Sequence, residues 1–200
     1  MVSAHNREFK KRVFTMKVFV EDFFYLLFHF PHIIKALFFT KTIDKKFRER
    51  IMTVVTRING CTYCAWFHTH VSLRSGIPQN DLKEIMDMQF GTSAEPYEMT
   101  ALVYAQHFTE TNRNPDPDME EKLLSTYGEH TANAIKLLIR IMFFTNLQGN
   151  TFDAFVSRMQ GKPAHDSNLL FEFAFFVVNI PLVLPAILVK HLFPAPGHSV

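Results

Sequence analysis

The chain has 200 residues, 48% of them apolar, with 22 phenylalanines against 7 glycines. That length suits one domain with extensions, and so many bulky apolar residues among so few glycines favour long helices over many short strands. A net charge of +2 is too small to argue for nucleic acid, and no nucleic-acid partner is expected.

Arg7, Lys10, Lys11, Arg12 and Lys17 crowd the start, with only Glu8 among them. Such a cluster reads as the solvated first turn of a helix; the alternative is contact with an anionic membrane surface. Lys17, Glu21 and Asp22 interrupt the apolar residues that follow, and no small-residue cleavage site appears, so no export signal is read here. The expected location is the cytoplasm, with membrane association as the open alternative. Residues 13–40 read as one long helix or two shorter ones, kinked or broken at Pro31.

A second helix is predicted over about 44–58, where Phe47, Ile51, Val54, Val55 and Ile58 form one apolar stripe and Glu49, Thr53 and Thr56 fall on another side. Asn59-Gly60 should end it, with Asn59 as a candidate cap for the next start. The third helix then runs to about Ser75, where Gly76 stops it. Pro78 opens a short helix through Met86, and a longer one follows from Pro96 to about Thr111. Residues 112–118 read as a loop, Met119 to Tyr127 as a helix ended by Gly128, and Thr131 to Met159 as a helix that the polar stretch 146–151 bends. Gly161-Lys162-Pro163 is a break. From Phe173 to Val189 there are seventeen residues without a charge, at the lower edge of a membrane span. Asn179, Pro181 and Pro185 weigh against a span. The length favours a kinked helix buried against protein over one in contact with a membrane. No strand alternation appears, so the fold class is all-α.

The chemistry concentrates in Arg57-Ile-Asn-Gly-Cys61-Thr-Tyr-Cys64-Ala-Trp-Phe-His68-Thr-His70, which holds both cysteines and the single tryptophan. On a helix, Cys61, Cys64 and His68 stand at i, i+3 and i+7 and share one face. Cys61, at the helix start, meets unpaired N–H groups and the positive end of the dipole, which favour a thiolate. His68, one turn beyond Cys64, can take or return that thiol's proton. A c-type haem would need a histidine where Ala65 stands. Zinc would need a fourth ligand, and His70 points to a different side. Inert packing is the remaining alternative. No cofactor and no metal are expected. Trp66 and Phe67 are expected in the core, and His70, His107 and His130 as structural.

These residues, with Gly76-Ile77-Pro78 after them, resemble the alkylhydroperoxidase D-like group of the carboxymuconolactone decarboxylase superfamily, whose motif is a glutamate followed by C-x-x-C-x-x-x-H. Glu49, twelve residues before Cys61, has the family spacing. The likeness runs on through Met99-Thr-Ala-Leu-Val-Tyr-Ala105 to Asn146 and Asn150, which divides the chain into an N-terminal extension (1–42), a core (43–160) and an apolar C-terminal extension (161–200). The resemblance implies an all-α bundle with the C-x-x-C at the start of a central helix, and homo-oligomers formed through helical faces. It also implies a thiol-dependent peroxidase or disulfide oxidoreductase, with a hydroperoxide as substrate and a thiol, a dithiol or a peroxiredoxin as redox partner. Carried over, Cys64 attacks the peroxide, Cys61 resolves, and Glu49 with His68 relays the proton. The helix-terminus argument instead makes Cys61 the more acidic thiol. Two alternatives remain. One is a lactone decarboxylase-type enzyme, with Arg57 as a candidate for the substrate carboxylate, although decarboxylases of the superfamily do not depend on the cysteine pair. The other is a non-catalytic, membrane-associated helical protein.

Overall fold

The computed structural model describes residues 9–38, 43–91, 94–165 and 167–192. Arg7 and Glu8 of the basic start, residues 39–40 of the first helical stretch, the 42/43 boundary and residues 193–200 lie outside the described residues. Eight helices follow in order: α1 (Met16–Phe28), α2 (Phe30–Phe38), α3 (Lys45–Asn59), α4 (Thr62–Arg74), α5 (Gln79–Met86), α6 (Met99–Glu110), α7 (Pro117–Met159) and α8 (Leu169–Leu192). Among the described residues, pairing of strand type is limited to one isolated bridge, Phe9 with Ala164.

Helix α3 is the centre, packed against α4, α5, α6 and α7. Asp44 starts it by accepting a hydrogen bond from the Phe47 amide at 2.9 Å, and Gly60 ends it in the left-handed conformation (φ 70°), which costs glycine least. Phe47, Ile51, Val54 and Val55 are fully buried, each contributing about 1.5–3 kcal/mol of transfer free energy. The expected polar side is buried as well: Glu49 bonds His68 of α4, Thr56 bonds Asn146 of α7, and Thr53 is buried too. The central helix has packed neighbours on several sides, so its polar residues need partners inside the protein.

Four local expectations are corrected. Asn59 does not cap α4. Its side-chain oxygen accepts from Arg12 at 3.0 Å and its carbonyl from Asn150 at 2.7 Å, which leaves Cys61 as the N-cap. The basic start is not a helical turn, because α1 begins only at Met16, capped by Thr15. Ahead of it Lys11 and Arg12 reach inward, Lys11 to Asp153 at 2.7 Å and Arg12 to Asn59 and the Thr109 carbonyl. Stretch 146–151 does not bend α7; the non-helical backbone in that helix is at Gly128. Asn146, Gly149, Asn150 and Thr151 are instead buried. Finally, Trp66 is only half-buried and Phe67 is exposed, because α4 turns a single face inward and these positions fall outside it.

The helical breaks follow the sequence closely. His29 separates α1 from α2, with Pro31 in the first turn of α2, where its missing N–H costs no helical bond. Residues 95–98 form a turn before α6, held by a buried ion pair of Arg50 with Glu98 at 2.8 Å. That moves the start of α6 from the expected Pro96 to Met99.

Candidate active site

Only Gly60 and Cys61 separate α3 from α4, and α4 packs against α3 and α7. Cys61 is buried, and its sulfur accepts a hydrogen bond from the Cys64 amide at 3.3 Å, the bond usually made by a Ser, Thr, Asn or Asp cap. Cys64 is partly exposed, and its thiol points to the Thr145 carbonyl at 3.8 Å. The two thiols also hydrogen-bond each other, and this bond pushes them apart in acidity. The bond from Cys64 lowers the Cys61 thiol; burial opposes this, while the Cys64 amide and the positive charge of Lys11 add to it. The same bond, then burial, then the charge on Cys61, raises the Cys64 thiol; a hydrogen bond with Asn146 opposes that rise. Cys61 is therefore the more acidic thiol of the pair and Cys64 the less acidic.

One turn past Cys64, His68 is buried, and its Nδ1 lies 2.7 Å from Glu49 Oε2 on α3. A carboxylate only accepts, so the neutral ring carries its proton on Nδ1 and leaves Nε2 free to take another. Arg48 lies 3.9 Å from the other Glu49 oxygen. The four residues expected at the site thus form two pairs on α4: Cys61 with Cys64 at its start beside α7, and His68 one turn on with Glu49 of α3.

Helix α7 supplies what the sequence reading missed. Thr145, Gly149 and Asp153 stand at i, i+4 and i+8 and run along α4. Thr145 offers its carbonyl to Cys64. Gly149 lets the helix approach Cys61 so closely that an added Cβ would stand 2.8 Å from the sulfur and 3.2 Å from the Tyr63 ring. Asp153 accepts from the Tyr63 hydroxyl and from Lys11. On the adjacent row, Asn146 bonds Asn59 and Thr56, and Asn150 donates to the Arg12 and Asn59 carbonyls. Polar residues at helical spacing in an otherwise apolar helix were the available signal.

Arg57 turns outward and donates to the Met86 carbonyl at 2.9 Å, fastening α3 to α5. His70 bonds the Trp66 carbonyl, and His107 faces Asp116. Among the described residues, no three His, Cys, Asp or Glu side chains are grouped to hold a metal ion. A cleft of about 830 Å³ opens beside Gly60, between residues 9–18 and Ile58, Asn59, Leu147 and His165, but neither cysteine lines it.

No curated protein matches the chain. The model of the carboxymuconolactone decarboxylase family matches residues 24–107 and so takes in Glu49, Cys61, Cys64 and His68 together. Over that segment the chain is similar to the carboxymuconolactone decarboxylase family.

Proposed function

We propose that the chain is a thiol-dependent peroxidase or disulfide oxidoreductase of the alkylhydroperoxidase D-like type, working through a Cys61–Cys64 dithiol. The observation that carries this reading is the pairing itself: two free thiols at a helix start, with the Cys64 amide donating to the Cys61 sulfur at 3.3 Å and a His68–Glu49 pair at 2.7 Å one turn on.

Cys64 is the attacking sulfur because solvent reaches it while Cys61 is buried. His68 Nε2 takes the Cys64 proton, and Glu49 stabilises the imidazolium that results. The Cys64 thiolate displaces on the O–O bond of a hydroperoxide; the outer oxygen stays on sulfur as a sulfenic acid, and the leaving alkoxide takes the proton back as an alcohol. The Cys61 thiolate then attacks the Cys64 sulfur, closing the disulfide and releasing hydroxide, which is protonated to water. One hydroperoxide is reduced by two electrons and two thiols become one disulfide. An external dithiol, or a thiol of a peroxiredoxin partner, restores the pair by exchange.

The test is steady-state consumption of cumene hydroperoxide with dithiothreitol as reductant. Wild type should turn over, Cys64→Ser should not, and Cys61→Ser should give a burst of one turnover per chain and then depend on direct reduction of the sulfenic acid. Undiminished turnover in Cys64→Ser would overturn the reading.

A further inference from the structure

Helices α1 and α8 each bury an acid bonded to arginine and turn a row of apolar residues outward. On α1, Met16, Val20, Phe23, Phe24 and Leu27 recur at helical spacing and are all exposed. The acid on the same helix, Asp22, is fully buried and bonded by Arg113 at 2.7 Å and Arg140 at 2.9 Å. On α8, Leu170, Phe173, Val177, Leu184 and Leu188 face out, with Leu170 81% exposed. There Glu172 is buried against Arg158 at 2.6 Å, and Asn179 is buried against Gln148 and the Phe175 carbonyl.

The two stripes adjoin. Phe19 of α1 packs on Phe171 and Phe175 of α8, and the exposed Phe23 stacks on Phe19 at 5.8 Å. Soluble monomers rarely expose an apolar patch beyond about 300–600 Å². Here each helix holds its buried carboxylate on arginine and leaves the row of apolar side chains outside.

The occupant follows from charge and length. Lys10, Lys17 and Lys35 are exposed on or near α1 and α2 in the chain. Lys17 stands within the α1 stripe between Met16 and Val20 and lies 3.8 Å from Glu21, the exposed acid of α1, which also faces Arg113 at 3.4 Å. Cations bordering an apolar stripe complement anionic headgroups over acyl chains. No single helix among the described residues is long and apolar enough to cross a bilayer, and only the two arms of α8 taken together have the length and composition of a bent span. Helix α8 is bent by 66° between Leu169–Pro181 and Val183–Val189, and its longer arm reaches only about 20 Å at 1.5 Å per residue, against a hydrocarbon core of ~30 Å.

We propose that the outward faces of α1 and α8 seat the protein in one leaflet of an anionic lipid surface, lying in its plane rather than crossing it. The seat does not depend on the peroxidase reading, and its failure would leave that reading untouched.

The test is flotation of the full chain with phosphatidylglycerol-rich or pure phosphatidylcholine vesicles, beside its mass in solution. Wild type should float with the anionic vesicles at least tenfold more than with the neutral ones. The double variant Phe24→Glu/Leu170→Glu changes exposed positions only, so far-UV circular dichroism and the thiol count should be unchanged while flotation falls at least tenfold. Equal flotation on both lipids, or flotation unchanged in the double variant, would overturn the proposal. So would a wild-type chain that stays below both vesicle types as a defined oligomer which the double variant splits, since the faces would then be covered by a second copy.

Discussion

The seam between α3, α4 and α7 and the outer pair α1 and α8 solve the same problem in opposite directions. In both, polar side chains are buried and bonded. In the seam the buried polar groups are neutral amides, hydroxyls and thiols around one histidine–carboxylate pair, and they leave Cys64 open to solvent. In the outer pair they are carboxylates clamped by arginines, and apolar rings are left outside. The seam sets two thiols beside a histidine, the groups that proton transfer at sulfur needs. The outer clamps, with two arginines on Asp22 and a two-bond pairing of Glu172 with Arg158, fix helices in place. Buried polarity alone therefore does not mark a site; the kind of group and the access to it do.

The difference can be broken first at its most rigid point. Asp22→Ala leaves two arginines facing an empty carboxylate position and should cost about 3–5 kcal/mol in urea unfolding, while thiol reactivity of the remaining folded protein stays as in wild type. A loss below 1 kcal/mol would mean that water already reaches the clamp. In the seam the effect should be kinetic. Glu49→Gln removes the charge that stabilises protonated His68, and peroxide-driven thiol loss should slow by on the order of 10²-fold with the fold retained. Gly149→Ala reads both at once. Alanine in a helix interior ordinarily stabilises by ~1 kcal/mol over glycine, but the new Cβ would stand 2.8 Å from a sulfur pinned as the N-cap. The net change should be a destabilisation of about 1–2 kcal/mol, visible in the urea midpoint. The smallest effect sharpens the roles of the two thiols. Cys64 is raised chiefly by its bond to Cys61 and then by burial, with the Cys61 charge third. Cys61→Ser removes the more acidic thiol of the pair and with it the bond and the charge that raise Cys64, so the Cys64 thiol should move down. Its alkylation by iodoacetamide at neutral pH should rise several-fold, and the alkaline limb of its pH profile should shift to lower pH.

Much of this was legible in the sequence because local rules dominate where the chain is punctuated. Gly60, Gly76, Pro78 and Gly161 each mark a boundary, and each is where a helix stops or starts. The i, i+3, i+7 spacing of Cys61, Cys64 and His68 was enough to put them on one face, and Glu49 came only through the family spacing. What the sequence hid is what depends on neighbours distant along the chain. Nothing local says that Asn59 is taken by Arg12, forty-seven positions earlier, and so cannot cap α4. The polar run 146–151 has the composition of a bend, yet it is the row of α7 that packs on the motif. Trp66 and Phe67 look like core residues by type, but α4 lies at the edge of this chain with one face inward. The 173–189 stretch reads as one apolar run, whereas α8 buries Phe175, Asn179 and Val183 and exposes much of the rest.

The central claim is that the two thiols act as one redox unit. It is tested most directly by adding one equivalent of hydroperoxide to the fully reduced chain, counting thiols, and mapping the product by mass spectrometry. The account predicts that both thiols per chain disappear together, that the mass falls by two hydrogens, and that a Cys61–Cys64 disulfide joins residues of the same chain. Two thiols remaining after the peroxide is added, or a disulfide that joins different chains while Cys61 and Cys64 stay unlinked, would contradict it.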